Sequence, residues 1–247
     1  MFQHMARSLV KIRRTSSTNN YAIRQMADHE LKEGTVFLAY EQTDGKGQLN
    51  NRWESEEGKN LTFSIVLMPA FLDIRKQYML SKVVCLGLVA FLSRFTRGVM
   101  IKWPNDIYAG DRKICGILFE NAVMGGDLAY SVVGIGLNIN QTVFRSSAPN
   151  PVSLKMITGK DYDLDVMLYE LLKEIDALYL KLQNGFFDEL NRAFHEKLYR
   201  LNEWRTYKDE NHEYSGEIIG VNTTGQLKIR EKDGFIHEYH FKEVEYL

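Results

Sequence analysis

Lys102 and Lys113 are the residues of this 247-residue chain whose setting most directly suggests chemistry. Lys102 follows the apolar run 99–101 and opens Lys102-Trp103-Pro104-Asn105-Asp106. Lys113 opens the apolar run Ile114-Cys115-Gly116-Ile117-Leu118. An ammonium group in strand-like sequence is costly unless an anion meets it. Two of them beside one fixed turn predict a site for a phosphate, a carboxylate, or both. The competing reading is that both lysines snorkel from strand ends, covering core with their stems and keeping their heads in water. The intervening residues favour the site. Pro104 lacks an amide hydrogen and ends the strand after Trp103. Asn105 and Asp106 favour a turn, and 108–111 supplies a second one. The lysines are therefore expected on adjacent antiparallel strands, facing one ligand.

Two glycine patterns could serve the same ligand. In Gln42-Thr43-Asp44-Gly45-Lys46-Gly47-Gln48, Gly45 and Gly47 let backbone amides approach an anion and Lys46 adds charge. The stretch is not a Walker A loop, and Asn50 stands where a dinucleotide fingerprint would place its third glycine. Gly134-Ile135-Gly136-Leu137-Asn138-Ile139-Asn140 alternates glycine with large apolar residues. One face of that strand would admit a flat group, with Asn138 able to hydrogen-bond it. Taken singly, the first is compatible with an ordinary glycine loop and the second with a strand kinked beside a helix.

The elements that must position these residues are visible in the apolar periodicity. Ser16, Ser17, Thr18, Asn19 and Asn20 are a dense run of helix N-cap types, with Tyr21, Ala22, Met26 and Ala27 following at helical spacing. Strands are expected over 36–40, 61–68, 99–103, 114–122 and 128–139, with Gly125-Gly126-Asp127 turning between the last two. A long, largely buried helix is expected over 74–95, an amphipathic one over 164–182, and another over 186–199. From about Trp204 short strand-like runs recur at 214–221, 226–230 and 235–241, separated by Asn222-Thr223-Thr224-Gly225 and Lys232-Asp233-Gly234. That pattern predicts a small all-β module, compact and barrel-like.

Composition narrows the function class. The 31 basic and 32 acidic side chains give a net charge of −1, so no basic field for nucleic acid is expected. Cys85 and Cys115 lie in apolar runs and are expected as buried thiols of a reducing compartment, the cytoplasm. No apolar run approaches the ~18 residues of a membrane span. His237 and His240 are expected on a solvated strand face, without zinc spacing.

In order and in combination, the motifs resemble those of the biotin protein ligases over nearly the whole chain. The resemblance rests on Ser16-Ser17-Thr18-Asn19, on Gln42 with Gly45-Lys46-Gly47 and Trp53, on Lys102-Trp103-Pro104-Asn105-Asp106 and its distance to Lys113, and on the run from Gly134 to Asn140. It implies an α+β fold of the class II synthetase-like type: a mixed β-sheet flanked by helices as a catalytic unit over 1–202, with a small SH3-like β-barrel over 203–247. It implies an enzyme that makes biotinyl-5′-AMP from biotin and ATP with Mg²⁺. The biotinyl group would then be transferred to a lysine of a biotin carboxyl carrier protein, releasing AMP. Carried over by residue, Ser17, Thr18 and Asn19 would line the biotin pocket and Gln42 would hydrogen-bond biotin. Lys46, Gly47 and Gln48 would belong to a loop closing over the adenylate. Lys113 would meet the biotin carboxylate and the activated acyl-phosphate oxygens. Lys102 and Asp106 would serve the nucleotide and metal side, although the metal ligands themselves are left open. Gly134, Gly136 and Asn138 would lie along the adenylate, and Gly45, Trp53, Asn105 and Gly116 complete the expected binding set.

The chain also departs from the family. Members often carry arginines through the glycine loop, where this chain has Lys46, Gln48 and Asn51, and Asn50 replaces a glycine. Lysine lacks the planar fork of arginine and glutamine lacks charge, so weaker retention of the adenylate is expected. About 15 residues precede the Ser-Ser-Thr-Asn run. That is short for a DNA-binding winged helix, so a non-repressor type is expected, as monomer or homodimer, without DNA or membrane partners. The alternatives are a lipoate or octanoate ligase or transferase of related fold, and a biotin-sensing protein without turnover.

Overall fold

The computed structural model describes residues 4–6, 8–48, 51–146 and 150–247. Asn50 lies outside them. The first polar-rich segment forms strand β1 (Ser8–Thr15), and the N-cap cluster starts helix α1 (Thr18–Asp28). Strands β2 (Thr35–Gln42) and β3 (Leu61–Leu67) follow, then helix α2 (Tyr78–Leu92). Next come β4 (Val99–Lys102), β5 (Asp106–Ala109), β6 (Arg112–Met124) and β7 (Asp127–Leu137). Helices α3 (Leu154–Thr158), α4 (Leu164–Gln183) and α5 (Phe187–Glu196) complete the larger part of the chain. The strands form one seven-stranded sheet in the order β1-β2-β3-β7-β6-β5-β4. Only β1 and β2 pair in parallel, and α1 supplies the crossover that a parallel pair requires. The mixed sheet and flanking helices agree with the expected fold class.

Apolar content explains the layers. Every residue of β3 is buried, as a central strand covered on both faces must be. On one side α1 packs Ala22 against Phe37, Val66 and Val132. On the other, α2 lies against α4. A Cβ on Gly87 would stand 2.7 Å from the Ile175 side chain, so glycine sets the closeness of that helix crossing.

The C-terminal residues form a separate antiparallel sheet in the order β11-β10-β9-β8-β12. Its strands are β8 (Trp204–Lys208), β9 (Glu213–Val221), β10 (Leu227–Glu231), β11 (Ile236–Tyr239) and β12 (Glu245–Tyr246). The five strands are consistent with the expected SH3-like module. It shares one apolar cluster with the larger sheet, through Tyr207, Ile218 and Leu227.

The structure revises several expectations. The helix expected over 74–95 begins as a separate 3-10 turn, Ile74–Lys76, capped by Asp73. β1 carries no strand signal in the sequence, because it is a sheet edge with mostly exposed side chains. β5 is hidden between two turns. Consequently Lys102 and Lys113 do not lie on adjacent strands: β5 separates β4 from β6. Asp106 opens that intervening strand, opposite Lys102 on one side and Gly116 on the other.

Candidate active site

One cavity of about 290 Å³ brings together most of the residues singled out by sequence. Its polar end is the start of α1. Ser17 caps the helix, its hydroxyl accepting from the Asn20 amide at 3.5 Å. The Thr18 amide donates to Gln42 Oε1 at 2.7 Å. Asn19 donates through Nδ2 to Glu120 Oε2 at 2.7 Å, and its Oδ1 lies 2.6 Å from Ser64 Oγ. A Cβ on Gly134 would stand 2.4 Å from that Oδ1, so the strand opposite Asn19 has room only for glycine.

The floor is the glycine pair Gly116 and Gly136, opposite one another on β6 and β7. A flat group does lie on it, and in this structure the group is the indole of Trp53. A Cβ on Gly136 would meet Trp53 Cε2 at 2.2 Å, and one on Gly116 would meet Cζ3 at 3.0 Å. Trp53 Nε1 is buried and has no hydrogen-bond partner. The glycine loop folds as a small hairpin that carries this indole. Trp53 N–H donates to Gly45 O at 2.8 Å, Gly47 N–H donates to Asn51 O at 2.7 Å, and Lys46 Nζ donates to Asn20 Oδ1 at 2.7 Å. Gln48 lines the cavity with its Oε1 buried and unpaired.

The charged end is built by the turn between β4 and β5 and by the start of β6. Asn105 holds that turn on β6: its Nδ2 donates to the Ile117 carbonyl, and its own carbonyl accepts from the Ile117 amide at 3.0 Å. Lys113 Nζ lies 2.8 Å from Asp106 Oδ1, with both side chains about a fifth exposed. The anion that meets Lys113 here is thus the chain's own carboxylate. The Lys113 backbone is pinned as well, its amide donating to Asn150 O and its carbonyl accepting from Val152 N, both at 2.9 Å.

Lys102 does not line this cavity. It borders an adjoining groove that shares Pro104, Phe241 and Lys242 with it. Its Nζ donates to Tyr108 Oη at 3.3 Å and sits 5.0 Å and 4.8 Å from the ring centres of Tyr108 and Tyr246. Burial pulls its pKa below the usual lysine value, and nearby Asp106 partly opposes that shift. Asn138 is also displaced from its expected place. It is buried beneath the floor, where Nδ2 donates to Val152 O at 3.1 Å and its amide donates to Ile114 O at 2.9 Å. It braces the segment that pins Lys113 and does not line the cavity. Gly45 stands behind the wall, tight against the Trp53 carbonyl, which a Cβ would approach to 2.6 Å.

Several residues of the site are absent from the sequence reading. Phe241 and Lys242 reach the cavity from the C-terminal module; a turn after a short strand carries no sequence signal of such long-range placement. Glu120 could have been found, because it continues the alternation Gly116, Leu118, Glu120 on one face of an otherwise apolar strand. Ser64 could have been found in the same way, as a hydroxyl that with Thr62 interrupts an otherwise apolar run. Neither cysteine is available as a nucleophile: Cys85 and Cys115 are buried, and burial pushes the Cys85 thiol up to about 12. Among the described residues, no group of three or more His, Cys, Asp or Glu side chains is placed to hold a metal, and no helix is long and apolar enough to cross a membrane.

The chain is similar to proteins of known description. Residues 11–138 match the model of the biotin/lipoate A/B protein ligase family. Bifunctional ligase/repressor BirA of Salmonella typhimurium is 34% identical, over 92% of this chain and 71% of that protein. A biotin–[acetyl-CoA-carboxylase] ligase of Paracoccus denitrificans is 28% identical, over 88% of this chain and 92% of its own. Among solved structures, a biotin protein ligase from Aquifex aeolicus in complex with biotin and ATP superposes with a TM-score of 0.80. It has 27% identity, covering 98% of this chain and all of that one.

Proposed function

This chain belongs to the biotin/lipoate A/B protein ligase family, and from that premise we propose that it is a biotin–[biotin carboxyl carrier protein] ligase. It joins biotin to AMP at the expense of ATP and passes the biotinyl group to a carrier lysine, the carrier being a subunit of acetyl-CoA carboxylase or a related carboxylase. One observation carries the reading. A single cavity has a polar end at the start of α1, a glycine floor shaped for a flat group, and the Lys113–Asp106 pair.

Each part then has a task. The polar end takes the ureido ring of biotin, whose N–H and C=O groups require matched partners in an otherwise apolar pocket. The valeryl carboxylate reaches Lys113. A carboxylate oxygen of biotin attacks the α-phosphorus of ATP, the bond to the β-phosphate oxygen breaks, and pyrophosphate leaves. Two anions approach one another in that step. The Lys113 ammonium offsets their repulsion and the charge developing at the α-phosphate. Binding of the biotin carboxylate gives Lys113 a second anion and releases Asp106 from an exclusive ion pair. Mg²⁺ fits this donor set, because it is commonly held by one or two carboxylates together with substrate phosphates. Asp106 would hold it, and the ion would supply neutralisation of phosphate charge. Lys102 and Lys242, on the adjoining groove, serve the nucleotide side. In the second step the carrier lysine attacks the acyl carbon, and AMP leaves with the bonding electrons.

We assign residues 1–202 to the catalytic unit and 203–247 to the module, which completes the cavity through Phe241 and Lys242. Lys46 and Gln48 line the mouth where related proteins often carry arginine, so retention of the adenylate rests on fewer fixed charges. The two free buried thiols support a reducing compartment, and we place the reaction in the cytoplasm. The test is incubation with ATP, Mg²⁺, biotin and a biotin carboxyl carrier domain, followed by intact mass of the carrier. A gain of one biotinyl group is expected. Biotin-dependent ATP–pyrophosphate exchange isolates the first step. Exchange that responds to lipoate instead would move the protein to the other branch of the family, and biotin binding without exchange would make it a sensor.

A further inference from the structure

Beneath the polar end of the cavity runs a chain of hydrogen bonds from Glu120 through Asn19 and Ser64 to Thr18. Thr18, Asn19 and Ser64 are almost completely buried. Asn19 Nδ2 lies 2.7 Å from Glu120 Oε2 and 3.5 Å from the Leu118 carbonyl. Both of those oxygens, one of a carboxyl group and one of a backbone carbonyl, accept from the amide. The opposite orientation of the Asn19 amide would aim its oxygen at two other oxygens. Glu120 therefore fixes Asn19 with Nδ2 toward itself and Oδ1 toward Ser64. Glycine at 134 leaves room for that oxygen and for nothing larger.

Asn19 Oδ1 can only accept, so the single hydroxyl proton of Ser64 goes to it across 2.6 Å. Ser64 Oγ also lies 2.7 Å from Thr18 Oγ1. With its own proton spent, Ser64 can only accept there, so Thr18 donates. The Thr18 hydroxyl is left with lone pairs for the cavity and no proton. Beside it, Gln42 Oε1 is occupied by the Thr18 amide at 2.7 Å. Gln42 Nε2 is a donor that can serve a ligand beside it. The polar end thus presents one acceptor next to one donor.

We propose that Ser64 and Glu120, neither of which lines the cavity, are the specificity-determining residues of this site. They hold the Thr18 hydroxyl as an acceptor, and so select a ligand that offers an N–H beside a C=O. This deepens the biotin assignment and rests on it. A cyclic urea satisfies both groups. A lipoyl or octanoyl chain has no N–H at that end and leaves the Thr18 and Gln42 groups unpaired in a desolvated pocket, which is how a hydrogen-bonding site rejects a ligand lacking the partner. Ser64 and Glu120 are positioning residues, since they act through Asn19 and Thr18.

The experiment compares wild type with Glu120→Met, Glu120→Gln and Ser64→Ala. Calorimetric Kd is measured for biotin and for biotin methylated at the ureido nitrogens, with KM for ATP measured in pyrophosphate exchange. Glu120→Met keeps bulk and removes the acceptor. Glu120→Gln can still offer a carbonyl oxygen to Asn19. Loss of one oriented hydrogen bond corresponds to a roughly three- to tenfold weakening. That is expected for biotin with Glu120→Met and Ser64→Ala, while Glu120→Gln stays within about twofold of wild type. KM for ATP should not move. The methylated ligand, which has no N–H to give, should bind wild type and variants alike. Folded Glu120→Met that binds biotin as wild type does would overturn the proposal, as would Glu120→Gln that is as weak as Glu120→Met. If Glu120→Met does not fold, Ser64→Ala decides: weakening confined to unmethylated biotin supports the relay, and equal weakening for both ligands refutes it. Wild-type protein that binds no biotin at all overturns the ligand assignment, and this proposal with it.

Discussion

Lys113 and Asp106 form an ion pair at 2.8 Å that is partly open to solvent. Such pairs contribute little to stability, so the value of this one lies in placing an ammonium at the cavity. Lys113→Ala is expected to lower biotin-dependent ATP–pyrophosphate exchange by about 10²–10³, the usual cost of one preorganised charge donor. Its melting temperature should be close to that of wild type. Near-normal exchange by this variant would remove Lys113 from the mechanism. Gly136 tests the floor. Its Cβ would lie 2.2 Å from the indole of Trp53, and a ring held by its own loop cannot swing aside as a flexible chain end can. Gly136→Ala should therefore shift the Trp53 fluorescence. It should also reduce exchange by about 10², the penalty typical of an ångström-scale misplacement near reacting groups. An unchanged emission spectrum would show that the indole does not rest on the glycine floor in solution.

At the scale of elements, α5 meets β9 through one histidine. His195 Nε2 lies 2.9 Å from the Val221 amide nitrogen and 3.0 Å from the Val221 carbonyl oxygen, and a neutral Nε2 accepts from the amide. Burial lowers the His195 pKa below 6.5, and the neighbouring Lys82 pushes in the same direction. Lys82 itself is held by Asn191 Oδ1 at 2.7 Å and lies over the rings of Tyr78 and Phe194. Burial lowers its pKa to about 8. Above 6.5 the ring is neutral folded and unfolded, and the contact is fully available. As pH falls through 6.5 toward the lower folded value, the unfolded chain binds the proton first and stability drains away. Melting temperature should fall between about pH 7.5 and about pH 5.5, and the fall should be smaller in His195→Gln, which offers an acceptor that does not titrate. Equal falls in both proteins would assign the acid sensitivity elsewhere.

For the molecule as a whole, the decisive contact joins the Lys-Trp-Pro-Asn-Asp turn to the C-terminal module. Trp103 is nearly buried, its Nε1 donates to Gly225 O at 2.9 Å, and its ring meets Phe241 edge-on at 6.4 Å. A Cβ on Gly225 would stand 2.7 Å from the Tyr78 ring, so the β9–β10 turn is also pressed against α2. The same residue run that supplies Lys102 and Asp106 therefore seats the module that supplies Phe241 and Lys242. Trp103→Phe removes the hydrogen bond and keeps most of the apolar contact. The expected cost is about 1 kcal/mol of stability. KM for ATP should rise while biotin Kd stays near wild type, because the polar end of the cavity lies on the other side of the floor. A matching loss of biotin affinity would mean that the module supports the whole cavity and not its nucleotide side alone.

Local chemistry was enough to reveal much of this protein from sequence. N-cap residues mark the start of α1, apolar periodicity marks α2, α4, β3, β6 and β7, and turn residues mark the β-hairpins of the module. These signals depend on neighbours a few positions apart. The alternating glycines Gly134 and Gly136, and lysines in apolar sequence, announced a site because each is costly or weak in a strand unless something approaches it. Tertiary structure decided what approaches. It placed β5 between the two lysines, gave Lys113 to Asp106 and Lys102 to a neighbouring groove, and turned Asn138 away to brace Val152. It laid Trp53 on the glycine floor, and it brought Phe241 and Lys242 across from the other sheet. Those outcomes depend on register and on contacts between residues far apart in the chain. Periodicity carries no information about either, because the same alternation is compatible with every order in which the strands could pair.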